Sequence, residues 1–236
     1  MQSVRRLVFA LFGLLVAAAT AQSQDNLLPE VKALLDRALA GDADSQLSLA
    51  LAYEAGRGAP RDASQAMRWY LAAANQGHPE AQNSVGSVLQ VEKKFAEARP
   101  WYEKAAAQRH ALATNNLAYL YDLGLGVAQD RQQAFRLYSR AADLGWAEAM
   151  WNLANMYGAG QLDGPPDLLQ ACIWTFRASR FALPREQRLQ MEVRRVTPIL
   201  ERRLSSVEMR TCREQSESWA PPEAGSRADR SRPATP

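Results

Sequence analysis

Two histidines and two cysteines are the side chains of this 236-residue sequence best suited to metal or nucleophile chemistry. His78 follows Gly77 and His110 follows Arg109, each where a helical pattern ends. Successive helices in a packed array lie roughly 10 Å apart, too far for two such imidazoles to share a tetrahedral zinc. Both read as surface turn residues, and no metal is expected. Three Gly-x-Gly pairs, Gly56/Gly58, Gly124/Gly126 and Gly158/Gly160, could suggest a phosphate loop. Each follows a helical pattern, whereas a phosphate cradle joins a strand to a helix start. No cofactor is expected. Most carboxylates fall at helix starts and on polar faces, not in pairs within a dry cleft, and no Ser/His/Asp or Cys/His set assembles without arbitrary choices. The chain reads as a protein that catalyses nothing.

Charge and export narrow the class further. The formal net charge of +3 is unevenly spread: residues 180–236 hold twelve Arg against eight acids, whereas residues 22–179 hold 14 basic and 17 acidic residues. The basic character belongs to the two ends, so no nucleic-acid partner is expected. Residues 1–21 place Arg5 and Arg6 before an apolar run from Leu7 to Ala19 and a small-residue site ending at Ala21. That is the plan of a secretory signal peptide, too short in its apolar part to span a bilayer. Periplasmic or secreted localisation follows, with no membrane insertion after cleavage and no long basic amphipathic helix of the membrane-surface kind.

The elements that would position any site come from internal repetition. Residues 41–58, running Gly-Asp-Ala-Asp-Ser-Gln-Leu-Ser-Leu-Ala-Leu-Ala-Tyr-Glu-Ala-Gly-Arg-Gly, align with residues 109–126, with small residues, Leu, Tyr and Gly in register. Asp62, Ala66, Trp69, Tyr70, Ala73 and Ala74 answer to Asp130, Ala134, Leu137, Tyr138, Ala141 and Ala142. A further copy carries Leu153, Tyr157, Gly158, Asp167, Ala171 and Trp174. Ala and Tyr at helical spacing predict antiparallel helix pairs that approach closely. Asp62-x-x-Gln65, Asp130-x-x-Gln133 and Asp167-x-x-Gln170 predict caps in which Gln reaches back to the cap amide. The copy from Gly77 to Gln108 lacks the Gly-x-Gly loop, and Gln161 to Pro166 enlarge the last one.

These residues resemble the Sel1-like repeat family, related to tetratricopeptide repeats. The resemblance covers residues 41–181, with the Gly77–Gln108 copy closer to a plain tetratricopeptide unit. It implies an all-α fold, a right-handed α-solenoid of helix-turn-helix repeats with terminal capping helices. The organisation expected is a signal peptide at 1–21, a capping helix at 22–40, four repeats at 41–181, capping helices at 182–218 and a disordered tail at 219–236. The capping helices are expected at Pro184–Val196 and Ser205–Ser218. A cysteine-rich branch of the family is associated with β-lactam hydrolysis, but it places a Cys pair in each unit, and the first three copies here have none.

As in tetratricopeptide arrays, the first helices are expected to line a groove that holds a protein or peptide segment. Its rows are Asp44, Glu80, Leu112 and Glu148; Leu47, Asn83, Asn115 and Trp151; Leu51, Ser87, Tyr119 and Asn155; Glu54, Gln90, Asp122 and Gly158. Amides would hold peptide backbone, aromatics would supply contact area, and acids would favour a basic ligand. Asn115→Ala is expected to weaken capture with melting temperature nearly unchanged. The resulting function is an exported binding scaffold; the alternatives are a cell-wall or β-lactam hydrolase and a secreted host-interaction protein. Cys172 and Cys212, on the last repeat and the terminal helix, read as a disulfide or as two separate buried thiols.

Export is open to a direct test. Intact mass of periplasmic material should place the first residue at Gln22, and full-length chain in the cytosol would contradict the reading.

Overall fold

The computed structural model describes residues 27–162 and 164–222. The expected signal peptide, and the expected tail from residue 223 onward, lie outside them. The regular structure among these residues is helical: α1 (Pro29–Leu39), α2 (Ala43–Ala55), α3 (Ala63–Asn75), α4 (Pro79–Val91), α5 (Phe95–Ala107), α6 (Ala111–Leu123), α7 (Arg131–Asp143), α8 (Ala147–Gly158), α9 (Leu168–Phe181), α10 (Gln187–Arg203) and α11 (Ser206–Ser218). The chain forms two compact units, one ending at Ala81 and one starting at Gln82.

In the first unit α1 packs on α2 and α2 on α3. Pro29 opens α1, where its missing N–H costs no helical bond. Between α2 and α3 the seam is made of small side chains, with Leu49, Ala50, Tyr70 and Ala73 fully buried. The second unit repeats this seam. Ala105, Ala118, Ala141 and Ala149 are fully buried, and Tyr102 and Tyr138 sit among them.

The caps follow the sequence in one half and depart from it in the other. Asp62, Asp130 and Asp167 accept from the amides of Gln65, Gln133 and Gln170 at 3.0, 2.8 and 2.9 Å. The Gln side chains were expected to return a bond to the cap amide. That amide has another partner: the N–H groups of Asp62, Asp130 and Asp167 donate to the carbonyls of Tyr53, Tyr121 and Tyr157 at 3.0, 2.9 and 2.9 Å. Each bond ties the start of a second helix to the last turn of its first helix. A Gln reaching back would find its donor taken. The reciprocal box forms instead at Ser205 with Glu208, as the sequence indicated.

The second glycine of the loop answers to close approach as well as to its positive φ. A Cβ on Gly58 would meet Val31 Cγ2 at 2.6 Å, and one on Gly126 would collide with the backbone of Phe95 and Ala96. Side chains can yield; backbone cannot. The shorter second copy turns without this loop, through Lys93 at φ 60°. That left-handed conformation is uncomfortable for a residue with a Cβ.

At the carboxyl end α9 packs on both α10 and α11. Cys172 and Cys212 are joined in a disulfide, 40 residues apart in sequence, which settles the choice against two free thiols. Around it lie Ile173, Leu200 and the partly buried Leu169, Phe176 and Met209. α10 differs from the expected Pro184–Val196. Leu183 N–H donates to the Glu186 carboxylate at 2.6 Å, closing a turn that delays the start to Gln187. The helix then runs through Pro198 to Arg203, because Pro198 is on an exposed face where water can serve the carbonyl it strands. Trp219, assigned to the tail by the sequence, is packed. It meets Trp174 and Phe181 edge-on, each at 5.7 Å, and Arg180 Nη1 donates to its carbonyl at 2.9 Å.

Two stability outcomes follow. Cys172→Ala/Cys212→Ala should lose about 2 to 4 kcal/mol in denaturant unfolding, from the freed loop entropy of the unfolded chain. An unchanged midpoint would show that the bond constrains nothing. Lys93→Gly should gain about 0.5 to 1 kcal/mol by relieving the left-handed backbone, and a loss would show that the turn is not strained.

Candidate functional site

In the first two repeats a buried phenol donates to a side chain on the first helix. Tyr70 donates to Glu54 Oε2 at 2.6 Å, and Tyr102 donates to Gln90 Oε1 at 3.0 Å. Burial pushes the Tyr102 phenol up to about 12, against the hydrogen bonds to Ser87 and Asn116. Tyr138 is raised by burial and then by the charge of Asp122, whose own carboxyl is raised by burial and eased by Arg131. In the fourth repeat the phenol's position is taken by Thr175, whose hydroxyl donates to the Ala171 carbonyl of its own helix at 2.7 Å, and the matching first-helix position is Gly158. The row Glu54, Gln90, Asp122, Gly158 therefore tracks the phenol it serves. A second hook recurs in two repeats, with Gln76 Nε2 donating to Gln46 at 2.7 Å and Gln108 Nε2 donating to Gln82 at 2.8 Å.

An asparagine ladder joins successive first helices in the second unit. Asn116 Nδ2 donates to Asn83 at 3.2 Å, and Asn152 Nδ2 donates to Asn115 at 3.1 Å. Asn83 is 2% exposed and Asn115 is 5% exposed, so each acceptor would be costly to leave unpaired. Asn115 is therefore a packing residue as well as a cleft residue. The expectation that Asn115→Ala leaves stability unchanged does not survive this bond.

Above the ladder lies a cleft of about 590 Å³, all of it in the second unit. Six residues from the sequence-derived rows line it: Gln90, Asn115, Tyr119, Glu148, Trp151 and Asn155. Tyr119 is 40% exposed, and Asn155 is exposed as well. The other rows are placed differently. In the first unit Asp44 is exposed, Leu47 is buried, Leu51 and Glu54 are half-buried, and Glu80 is half-buried on α4. Ser87 lies 3.4 Å from the Tyr102 hydroxyl, and Leu112 is half-buried.

Sequence reasoning missed one wall of the cleft. Glu186, Arg188, Leu189 and Glu192, at the start of α10, face α6 and α8 across it. They were assigned to a cap over the end of the fourth repeat, and no periodicity marks them as groove residues. Glu148 is open to water from the mouth, yet the surrounding walls raise its pKa by desolvation. Glu186 adds like charge, and Arg188 opposes both. Its carboxylate has no ion pair among the described residues. The cleft thus combines aromatic area, amide groups and an under-compensated acid. Among the described residues no group of three or more His, Cys, Asp or Glu could hold a metal.

The histidines are caps, a role the sequence did not reveal. His110 Nδ1 accepts from Ala113 N–H at 3.2 Å at the start of α6. His78 Nδ1 accepts from Ala81 N–H at 3.4 Å, which puts its proton on Nε2, 3.0 Å from Asp44 Oδ1. Both residues sit where the first repeat has Asp42, which accepts from Ser45 N–H at 3.0 Å, and an imidazole acceptor does the same work.

Comparison with known proteins agrees with this architecture. The Sel1 repeat model matches residues 43–78, 79–110, 111–146 and 147–180. The second stretch is the short copy, which is thereby a Sel1 repeat with a trimmed turn and not a plain tetratricopeptide unit. Among solved structures, c5321, a protective antigen of uropathogenic Escherichia coli with this repeat fold, is 28% identical with a TM-score of 0.72, over 87% of this chain and 44% of its own. A Sel1 repeat protein from Oxalobacter formigenes is 32% identical with a TM-score of 0.60, over 65% of this chain and 64% of its own. The chain spans less than two thirds of the length of either protein. No curated protein matches it. The fold is of the all-α solenoid class built from helix-turn-helix repeats, and with four matched copies over more than half its length the chain belongs to the Sel1 repeat family.

Proposed function

We propose that the chain is an exported scaffold that holds a segment of another protein in the cleft of its second unit and catalyses no reaction on it. Sel1 repeat proteins typically serve as protein-interaction scaffolds. The observation that carries the reading for this chain is the cleft itself: exposed Tyr119 and Asn155 stand beside Trp151 and the desolvated Glu148. Ring faces give contact area at low entropic cost, and amide groups pair with an extended backbone. An acid with no ion pair favours a segment carrying Lys or Arg. Pre-formed helices lose little freedom when such a segment docks.

Export is supported by the leader pattern at residues 1–21 and by the Cys172–Cys212 disulfide, a bond that persists in oxidising compartments. No described helix is long and apolar enough to cross a membrane. The reading as a binder and not a hydrolase rests on the acids of the cleft. Glu186 is engaged with Leu183 N–H and Glu192 with Arg195, which leaves Glu148 without a second free carboxylate to share acid and base roles.

The test is capture by the mature chain in periplasm of its native host, quantified against variants. Tyr119→Ala, Trp151→Ala and Glu148→Lys should each lower capture about tenfold, the effect expected when a contact of some 1.4 kcal/mol is removed. Tyr119→Ala should leave the melting temperature nearly unchanged. Normal capture by all three variants would overturn the assignment.

A further inference from the structure

The face of α10 turned away from the core is basic and carries two apolar side chains in its middle. Leu189, Val193 and Leu200 anchor the helix inward. At 100° per residue the opposite face gathers Met191, Arg194, Arg195, Ile199 and Arg202. Met191 is 62% exposed and Ile199 is 41% exposed, and the three arginines are exposed. The acids of the helix are few and engaged: Glu192 pairs with Arg195 at 2.8 Å, and Glu201 lies 3.4 Å from Arg213 of α11. Arg194 and Arg202 have no such partner among the described residues. The sequence reading found no basic amphipathic helix because it ended this element at Val196, which left Ile199 and Arg202 off the helix.

We infer that this face docks on an anionic bilayer surface, with arginines on lipid phosphates and Met191 and Ile199 entering the interface between them. Charge complementarity selects an anionic occupant. The interleaved apolar pair selects a surface with hydrocarbon beneath its phosphates over an acidic protein or a free polyanion. Met191 and Ile199 lie about 12 Å apart along the helix and about 80° apart around it, so they flank Arg195 and Arg202 on one side of the helix. The buried face of α10 remains on the protein core, which limits the contact to peripheral attachment.

The test uses the chain from Gln22 onward, which keeps every described residue and omits the apolar Leu7–Ala19 run. Sedimentation is compared with vesicles of pure phosphatidylcholine and with vesicles holding 30% phosphatidylglycerol, a fraction set to about one lipid in three. Binding should appear on the anionic vesicles alone and fall steeply at 1 M salt, where the Debye length shrinks to about 3 Å. Arg194→Glu/Arg202→Glu should weaken it about tenfold or more, and Met191→Ser/Ile199→Ser about fivefold, with melting temperatures unchanged. Equal binding to both vesicles, or full binding by the charge-reversed variant, overturns the inference. Loss on charge reversal with no effect of the serine pair overturns it as well, and makes an acidic macromolecule the occupant.

Discussion

Close approach of helices through alanine is the constraint from which the rest of this structure follows. Ala50, Ala73, Ala105, Ala118, Ala141 and Ala149 are fully buried. Small side chains let backbones come together, but they leave space beyond the seam that something large must fill. Tyr70, Tyr102 and Tyr138 fill it, and they bring a hydroxyl into the interior. A phenol buried without a partner is costly, so the first helix must present an acceptor at a fixed place. Glu54 and Gln90 are those acceptors, and Asp122 stands beside Tyr138. Where the phenol is replaced by Thr175, which bonds the Ala171 carbonyl within its own helix, the matching position becomes Gly158.

This dependence divides the polar residues of the first helices into two kinds. One kind is spent on the fold: the phenol acceptors, the Gln46 and Gln82 hooks, and the Asn83 and Asn115 acceptors of the ladder. The other kind is left over, and it is concentrated where the ladder ends. Trp151 occupies the position that Asn83 and Asn115 hold in earlier copies, so the fourth repeat offers no acceptor for a further rung. With α10 closing the far side, Trp151, Tyr119, Asn155 and Glu148 share a cleft in place of a packed seam. The cleft is thus where the repeating interaction stops.

Much of this was legible in the sequence because repetition multiplies weak signals. Ala and Tyr at helical spacing, with Asp before three of the four second helices and Gly after three of the four first helices, gave the helix pairs and their order. The six cleft residues came from the resemblance to tetratricopeptide arrays, which put the first helices on the groove, and from counting in register along them. What stayed hidden depends on tertiary partners. Gln65 could not be seen to lose its expected bond, because the competing Tyr53 carbonyl is reached only when the loop closes. Pro198 reads as a stop, yet the helix passes it because that side faces water. Trp219 reads as tail, yet Arg177 lies 4.5 Å from the Trp174 ring and 4.6 Å from the Trp219 ring, holding the two together. The α10 wall carries no repeat signal at all.

The central claim is that binding takes place in the cleft of α6, α8 and α10 and not on the second helices. Site-specific photocrosslinking addresses it most directly, with a benzophenone side chain placed at Asn155 in the cleft or at Trp101 on α5, in cells that export the chain. The account predicts a discrete protein adduct from position 155 that disappears when Glu148→Lys is added, and none from position 101. An adduct from position 101 alone, or one from position 155 that persists with Glu148→Lys, would contradict it.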